Sequence, residues 1–260
     1  MATDMHEAGE FCWINILTPR PAEAMDFFGP VLGWTFFEMP GLGHGMKVGG
    51  RDIGGLFDLD GPNSPPGLPP TIGVVVRVDD ADRTVERVVA LGGRARPAFA
   101  VGDRGRLAVC HDPAGAAFDV WEPVAPPGPA VDRSLAGAPS WSETLTTDPA
   151  RATSFYADLF GWTPEPMELP GFTYTSFRHN GKPVAGLMPI LPSMGTFPAH
   201  WGTYFTVADA DETAAVARDL GATVFVPPAD IPNIGRFCGI MSPQGVRFYA
   251  IRYLPRAEPA

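Results

Sequence analysis

Along residues 12–18 the apolar Ile14 and Ile16 alternate with Trp13, Asn15 and Leu17, the period-two pattern of a strand with one face buried. The pattern then changes. In PAEAMDFFGPVLG (21–33), Ala24, Phe27, Phe28, Val31 and Leu32 recur at helical spacing. Three strand-like pieces follow, near 34–39, 44–49 and 52–58, before the loop DGPNSPPGLPP (60–70) breaks the pattern. TIGVVVRV (71–78) reads as a strand and DADRTVERVVALG (80–92) as a helix, with Asp79 or Asp80 as N-cap and Gly92-Gly93 at the C-terminus. Strands near 94–100, 105–110 and 116–122 complete the series. The order is β-α-β-β-β, twice.

The same series then recurs in the second half of the chain. CWINILTPRPAEAMDFFGPVLGW aligns with SWSETLTTDPARATSFYADLFGW at an offset of 128, which relates Trp13 to Trp141, Phe27 to Phe155 and Gly33-Trp34 to Gly161-Trp162. VVVRVDDADRTVERVVALGG aligns with YFTVADADETAAVARDLGA at 129, and GRLAVCHDPAGAAFDVW with GRFCGIMSPQGVRFYAI at 130. Single-residue insertions in loops explain the drift. The sequence therefore predicts an α+β protein of four βαβββ modules, as two homologous domains, 8–124 and 137–254. A Pro-containing linker at 125–136 would join them.

Composition narrows the function. The chain has 260 residues, 45% of them hydrophobic and 18% charged, with Gly 30 and Pro 30 in keeping with many turns and short strands. A net charge of −10 argues against nucleic acid and against an anionic membrane as partners. No apolar run reaches membrane-spanning length, and MATDMHEAGE has neither part of a signal peptide. Cys12, Cys110 and Cys238 are odd in number and widely spaced, which fits a reducing cytoplasm and excludes a Cys-type zinc site. A cytoplasmic monomer or homodimer is expected. No nucleophile elbow, P-loop or dinucleotide fingerprint is present.

Four modules, FF or FY followed by LGW in the first helix, VDD opening the second, and DPAG before the last strand together resemble the vicinal oxygen chelate superfamily. That superfamily includes glyoxalase I, bleomycin-resistance proteins and extradiol dioxygenases. The tandem layout with W-x-[NE] in the first strand is similar to a bacterial group often labelled hydroxylases. The resemblance implies open sheets around pockets, helices on the outer side and, in enzyme members, a divalent metal held by His, Gln or Glu. At the matching positions stand Trp13, Gly73 and Asp119 in the first half and Trp141, Gly202 and Tyr249 in the second. Trp and Gly side chains donate no ligand to a metal. The expectation is therefore a protein with no metal and no cofactor, which departs from the enzymes' pattern.

Alternation identifies the other pocket-facing residues: Asn15, Leu17, Val75, Arg77 and Trp121, then Glu143, Leu145, Tyr204, Thr206 and Ile251. Large aromatics with a few polar groups suit a small-molecule site. Trp13, Asn15, Arg77, Trp121, Trp141, Tyr204 and Tyr249 are the candidate ligand-binding residues for a hydrophobic, aromatic compound of the kind a resistance protein sequesters. Trp13 and Trp141 instead plug the cavity if the pockets are merely filled, which would leave a structural protein. Asp119 either bridges to Arg77 or serves as a base. Glu143 is a ligand acceptor, a general base or the partner of an Arg. Under an enzyme reading (hydroxylase or oxygenase, isomerase, or lyase), Glu143 and Asp119 are the candidate catalytic residues or ligands of an atypical metal site. Pairing the first module with the fourth would place both carboxylates in one pocket. The histidines read as local features: His44 in a Gly-flanked loop, His111 at a turn, His179-Asn180-Gly181 as a hairpin, and His200 at a strand start that could line a pocket mouth.

Overall fold

The computed structural model describes residues 6–61, 68–125 and 131–255. The first half runs β1 (Phe11–Thr18), α1 (Pro21–Leu32), β2 (Thr35–Met39), β3 (Gly43–Val48), β4 (Arg51–Asp58), β5 (Thr71–Arg77), α2 (Ala81–Ala90), β6 (Arg94–Ala95), β7 (Phe99–Val101), β8 (Gly105–His111) and β9 (Ala117–Pro123). The second runs β10 (Pro139–Thr146), α3 (Pro149–Phe160), β11 (Thr163–Leu169), β12 (Phe172–His179), β13 (Lys182–Pro189), a 3₁₀ turn (Pro192–Met194), β14 (His200–Thr206), α4 (Ala210–Asp219), β15 (Thr223–Ile231), β16 (Gly235–Met241) and β17 (Arg247–Tyr253). This is the α+β series of four modules that the alternation predicts. Residues 62–67 of the predicted loop at 60–70 and residues 126–130 of the predicted linker at 125–136 lie outside the described residues.

Each half contributes one sheet. Sheet A has the order β2-β3-β4-β1-β5-β9-β8-β6, with β7 also on β8; sheet B has β11-β12-β13-β10-β14-β17-β16-β15. Within every module the first strand lies parallel to the last: β1 with β4, β5 with β9, β10 with β13 and β14 with β17. The helix between supplies the crossover that a parallel pair requires.

The packed cores group the chain differently. Residues 6–13, 73–125 and 141–202 form one compact unit, and 14–61, 68–72, 131–140 and 203–255 form the other. In the first unit Val74, Val78, Val88 and Phe118 pack with Phe155, Tyr156, Trp162 and Phe177. In the second, Ile14, Ile16, Phe27, Phe28 and Trp34 pack with Phe205, Ile240 and Phe248. Trp34 and Trp162 are buried, and each indole N–H donates at 2.8 Å to a backbone carbonyl, of Gly137 and Gly9 respectively.

Local chemistry sets the element ends. The Asp80 carboxylate accepts from Arg83 N and caps α2, while Asp79 stands outside the helix; α2 ends at Ala90, followed by Leu91 and a left-handed Gly92 (φ 87°). Asn180 and Gly181 both have positive φ, the turn that matches hairpin twist. Gly9 (φ 91°) donates to Arg77 O, and Arg77 N donates to Glu10 O, which is a glycine bulge just before β1. One predicted strand is corrected. Residues 94–100 form two short strands, β6 and β7, because Pro97 between them has no N–H to give the ladder. In the second half β15 stays continuous through Pro227-Pro228 by register shifts at the sheet edge.

Candidate functional site

Ile14 and Ile16 face α1, so Trp13, Asn15 and Leu17 project from the other side of sheet A, its helix-free face. By the same alternation Thr144 faces α3, where it meets Tyr156, and Trp141, Glu143 and Leu145 occupy the helix-free face of sheet B.

In the first unit, that face of β10, β12 and β13 carries a hydrogen-bonded chain. The Trp141 indole Nε1–H donates to the Tyr174 hydroxyl at 3.0 Å, and the Tyr174 hydroxyl donates to Glu143 Oε2 at 3.0 Å. Glu143 is only 5% exposed. A carboxylate that far out of water needs donors, because an unpartnered buried charge costs several kcal/mol. Register explains how Tyr174 reaches it. Glu143 is opposite Gly186, and Ser176 is opposite Gly186 on the other side. A Cβ at Gly186 would overlap the Tyr174 hydroxyl, so the glycine makes room for the tyrosine to lie across β13.

Sheet A contributes a second set in the same unit. Val75 is opposite Asp119 and Arg77 opposite Trp121. The Trp121 ring lies over Gly105, where a Cβ would sit 2.7 Å from it. Arg77 Nη2 pairs with Asp79 Oδ1 at 2.9 Å, and its buried Nε has no hydrogen-bond partner among the described residues. Arg77 thus has Asp79 as a carboxylate partner, which the sequence did not single out. Cys12 lies near Arg77, and burial pushes its thiol up to about 12, so it stays a neutral packing residue at physiological pH.

In the second unit the helix-free face is aromatic. Tyr204 and Tyr249, opposite one another in register, stack with ring centroids 4.6 Å apart and planes 17° apart. Phe237 and Phe225 pack on Tyr249 at 6.3 and 5.7 Å, and Arg247 stands 5.4 Å from the Phe225 ring centre. Asn15 is buried on β1 opposite Gly55. The Phe57 ring covers Gly55, so this part of sheet A is lined by phenylalanine where sheet B has the Tyr174 hydroxyl.

All the pocket-facing residues named from the sequence therefore lie on helix-free faces. Asp119 on β9 and Glu143 on β10 stand on different sheets but in the same compact unit, the grouping of the second module with the third and the first with the fourth under which the sequence would bring both carboxylates to one pocket. One histidine expectation is corrected: His44 lies within β3, held by strand pairing rather than in a loop, while His111 closes β8 immediately before the turn that Asp112 opens. His200 opens β14, with Nδ1 3.0 Å from Pro198 O and its ring against Phe197. Sequence reasoning missed Tyr174, Phe225 and Phe237. The signal for Tyr174 was present: Thr175 and Phe177 are the buried positions of β12, which puts Tyr174 and Ser176 on the opposite face. A shallow hollow beside Asp79, Thr84 and Phe160 contains none of these residues.

A profile described as "Glyoxalase-like domain" matches residues 13–121. Over 251 residues, 94% of this chain and 95% of the relative, the sequence is 34% identical to "Putative glyoxylase CFP32" of Mycobacterium tuberculosis. The chain belongs to the vicinal oxygen chelate superfamily. It is also 32% identical over 259 residues to "Anthracycline biosynthesis protein DnrV" of Streptomyces peucetius, covering 94% of this chain and 93% of that one. Among solved structures, the Mn(II)-bound glyoxalase from Novosphingobium aromaticivorans superposes with a TM-score of 0.65 at 14% identity, covering 95% of this chain and 83% of that one. A 2,2',3-trihydroxybiphenyl 1,2-dioxygenase from Sphingomonas wittichii gives 0.66 at 12% identity, with coverage of 97% and 94%. At such identities these two show the shared vicinal oxygen chelate fold.

Superfamily enzymes carry a divalent metal, and the donor set here does not fit one. Trp13, Gly73, Trp141 and Gly202 offer no ligand atom, and among the described residues no group of three or more His, Cys, Asp or Glu side chains is arranged to hold an ion.

Proposed function

We propose that this vicinal oxygen chelate protein binds a flat, hydrophobic aromatic compound against the helix-free faces of its sheets, without a chelated metal. The observation that carries this reading is the Trp141–Tyr174–Glu143 chain, an aromatic surface with a buried, oriented acceptor where metal ligands would otherwise gather. Stacking on Trp141 supplies area, and the carboxylate supplies a fixed polar contact, the usual division of labour in a ligand site. The similarity to a protein named for biosynthesis of anthracyclines, which are fused-ring aromatic compounds, supports the ligand class.

The test is calorimetric titration with the uncharged probe naphthalenemethanol, in chelator. Saturable binding that weakens at least tenfold in Trp141→Ala is expected. No heat above dilution, in naphthalenemethanol or in larger fused-ring alcohols, would overturn the reading.

The Tyr174 hydroxyl at 3.0 Å from Glu143 also favours a second reading, in which the pair moves a proton for an isomerase or lyase step on a bound aromatic compound. Asp119 is the carboxylate available for that role on sheet A. Glu143→Gln distinguishes the two. Under the binding reading it weakens affinity only, whereas under the enzyme reading it abolishes turnover while leaving most of the affinity intact.

A further inference from the structure

Arg94 and His111 are directly opposite one another between β6 and β8, and Arg96 N donates to Val109 O at 3.0 Å. The core-facing residues of these strands are Ala95, Ala108 and Cys110. Arg94, Arg96 and His111 therefore project from the other side, the helix-free face of sheet A, together with Asp119 and Trp121 of β9. Two arginines and an imidazole gather here on a protein of net charge −10. No carboxylate among the described residues forms an ion pair with Arg94 or Arg96.

We propose that Arg94, Arg96 and His111 form an anion-recognition site on this face, so that the ligand taken by sheet A is an aromatic acid whose carboxylate they hold while its ring lies toward Trp121. This rests on the reading of the helix-free faces as ligand surfaces. Arginine suits the role because its planar fork donates in pairs to a carboxylate. Asp119 lies on the same face, two residues along β9 from Ala117, which is opposite His111. It repels an anion near the sheet centre and so favours the carboxylate at the β6 edge, with the ring inward. The charged groups acting on His111 are Arg94, Arg96 and Asp112. Burial and the two arginines hold His111 below its ordinary 6.5, against the smaller opposite pull of Asp112. A bound carboxylate that offsets the arginines favours the protonated form of His111.

The experiment compares naphthoate with naphthalenemethanol on the intact chain, by calorimetry in buffers of different ionisation enthalpy and by the His111 ring resonances. Naphthoate is expected to bind at least tenfold tighter near pH 6.5, with proton uptake and a raised His111 pKa. Arg94→Ala and Arg96→Ala, both at exposed positions, should each erase most of that preference. Equal affinity for the two probes, or naphthoate binding that is unaffected in both variants, would overturn the anion site while leaving aromatic binding standing. Failure of both probes to bind would overturn both readings.

Discussion

Replacing Tyr174 with Phe removes one oxygen and keeps the ring that lies over Gly186. The lost hydroxyl accepts from Trp141 Nε1 and donates to Glu143 Oε2, each at 3.0 Å. Trp141 is half-buried, so water can replace part of its bond; Glu143 is buried, and water replaces little. A hydrogen bond to a charged group contributes about 1.5–3 kcal/mol, and a neutral one about 1 kcal/mol. Discounting the Trp141 bond, Tyr174→Phe should destabilise the protein by about 2 kcal/mol. For a chain of this size, that corresponds to a fall of about 4–8 °C in Tm. Urea and thermal unfolding measure it, and a double-mutant cycle with Glu143→Gln should return a coupling of about 1 kcal/mol or more. A Tm within about 1 °C of wild type, with no coupling to Glu143, would refute the claim that the hydroxyl holds the buried carboxylate.

Further perturbations follow from the same geometry. Gly186→Ala places a methyl group on the Tyr174 hydroxyl and 3.0 Å from Glu143 Cβ; it should cost about 1–3 kcal/mol in urea unfolding and weaken naphthalenemethanol binding. Asp112 is 2% exposed and accepts from Ala114 N, Ala116 N and the Tyr156 hydroxyl, so Asp112→Ala strands three donors, two of them buried, and should cost about 3 kcal/mol by denaturant titration. His111, lowered by burial and by Arg94 and Arg96, binds fewer protons folded than unfolded. Its contribution to stability is therefore present above pH 6.5 and is lost as pH falls through the lower folded value; His111→Gln should flatten that part of the stability profile.

The strands, the helices and the internal repeat are legible in the sequence because each rests on local periodicity or on one cap, as Asp80 and Gly92 do. The grouping of the cores is not, because it joins residues distant in the chain. In the first unit Tyr156 of α3 donates to Asp112 and accepts from Trp201 Nε1 at 2.9 Å. Desolvation holds the Tyr156 hydroxyl well above its ordinary pKa, so it remains a donor. The repeat places Phe28 and Ser242 at the equivalent positions of the second unit. Tyr accompanies Asp in one, and Phe accompanies Ser in the other, a matched difference that only the folded cores make intelligible. The candidate site was half legible for a similar reason. Alternation gave Trp141 and Glu143 on one strand, but Tyr174 reaches them from two strands away, across a glycine whose purpose no local pattern reveals.

The central claim is that aromatic binding here needs no metal. The most direct test is titration of naphthalenemethanol into tag-free protein, once after exhaustive chelation and once after loading with manganese, iron, nickel or zinc, with elemental analysis of each sample. The account predicts the same saturable affinity in every sample, and its loss in Trp141→Ala. Binding that appears only with a stoichiometric metal would contradict it.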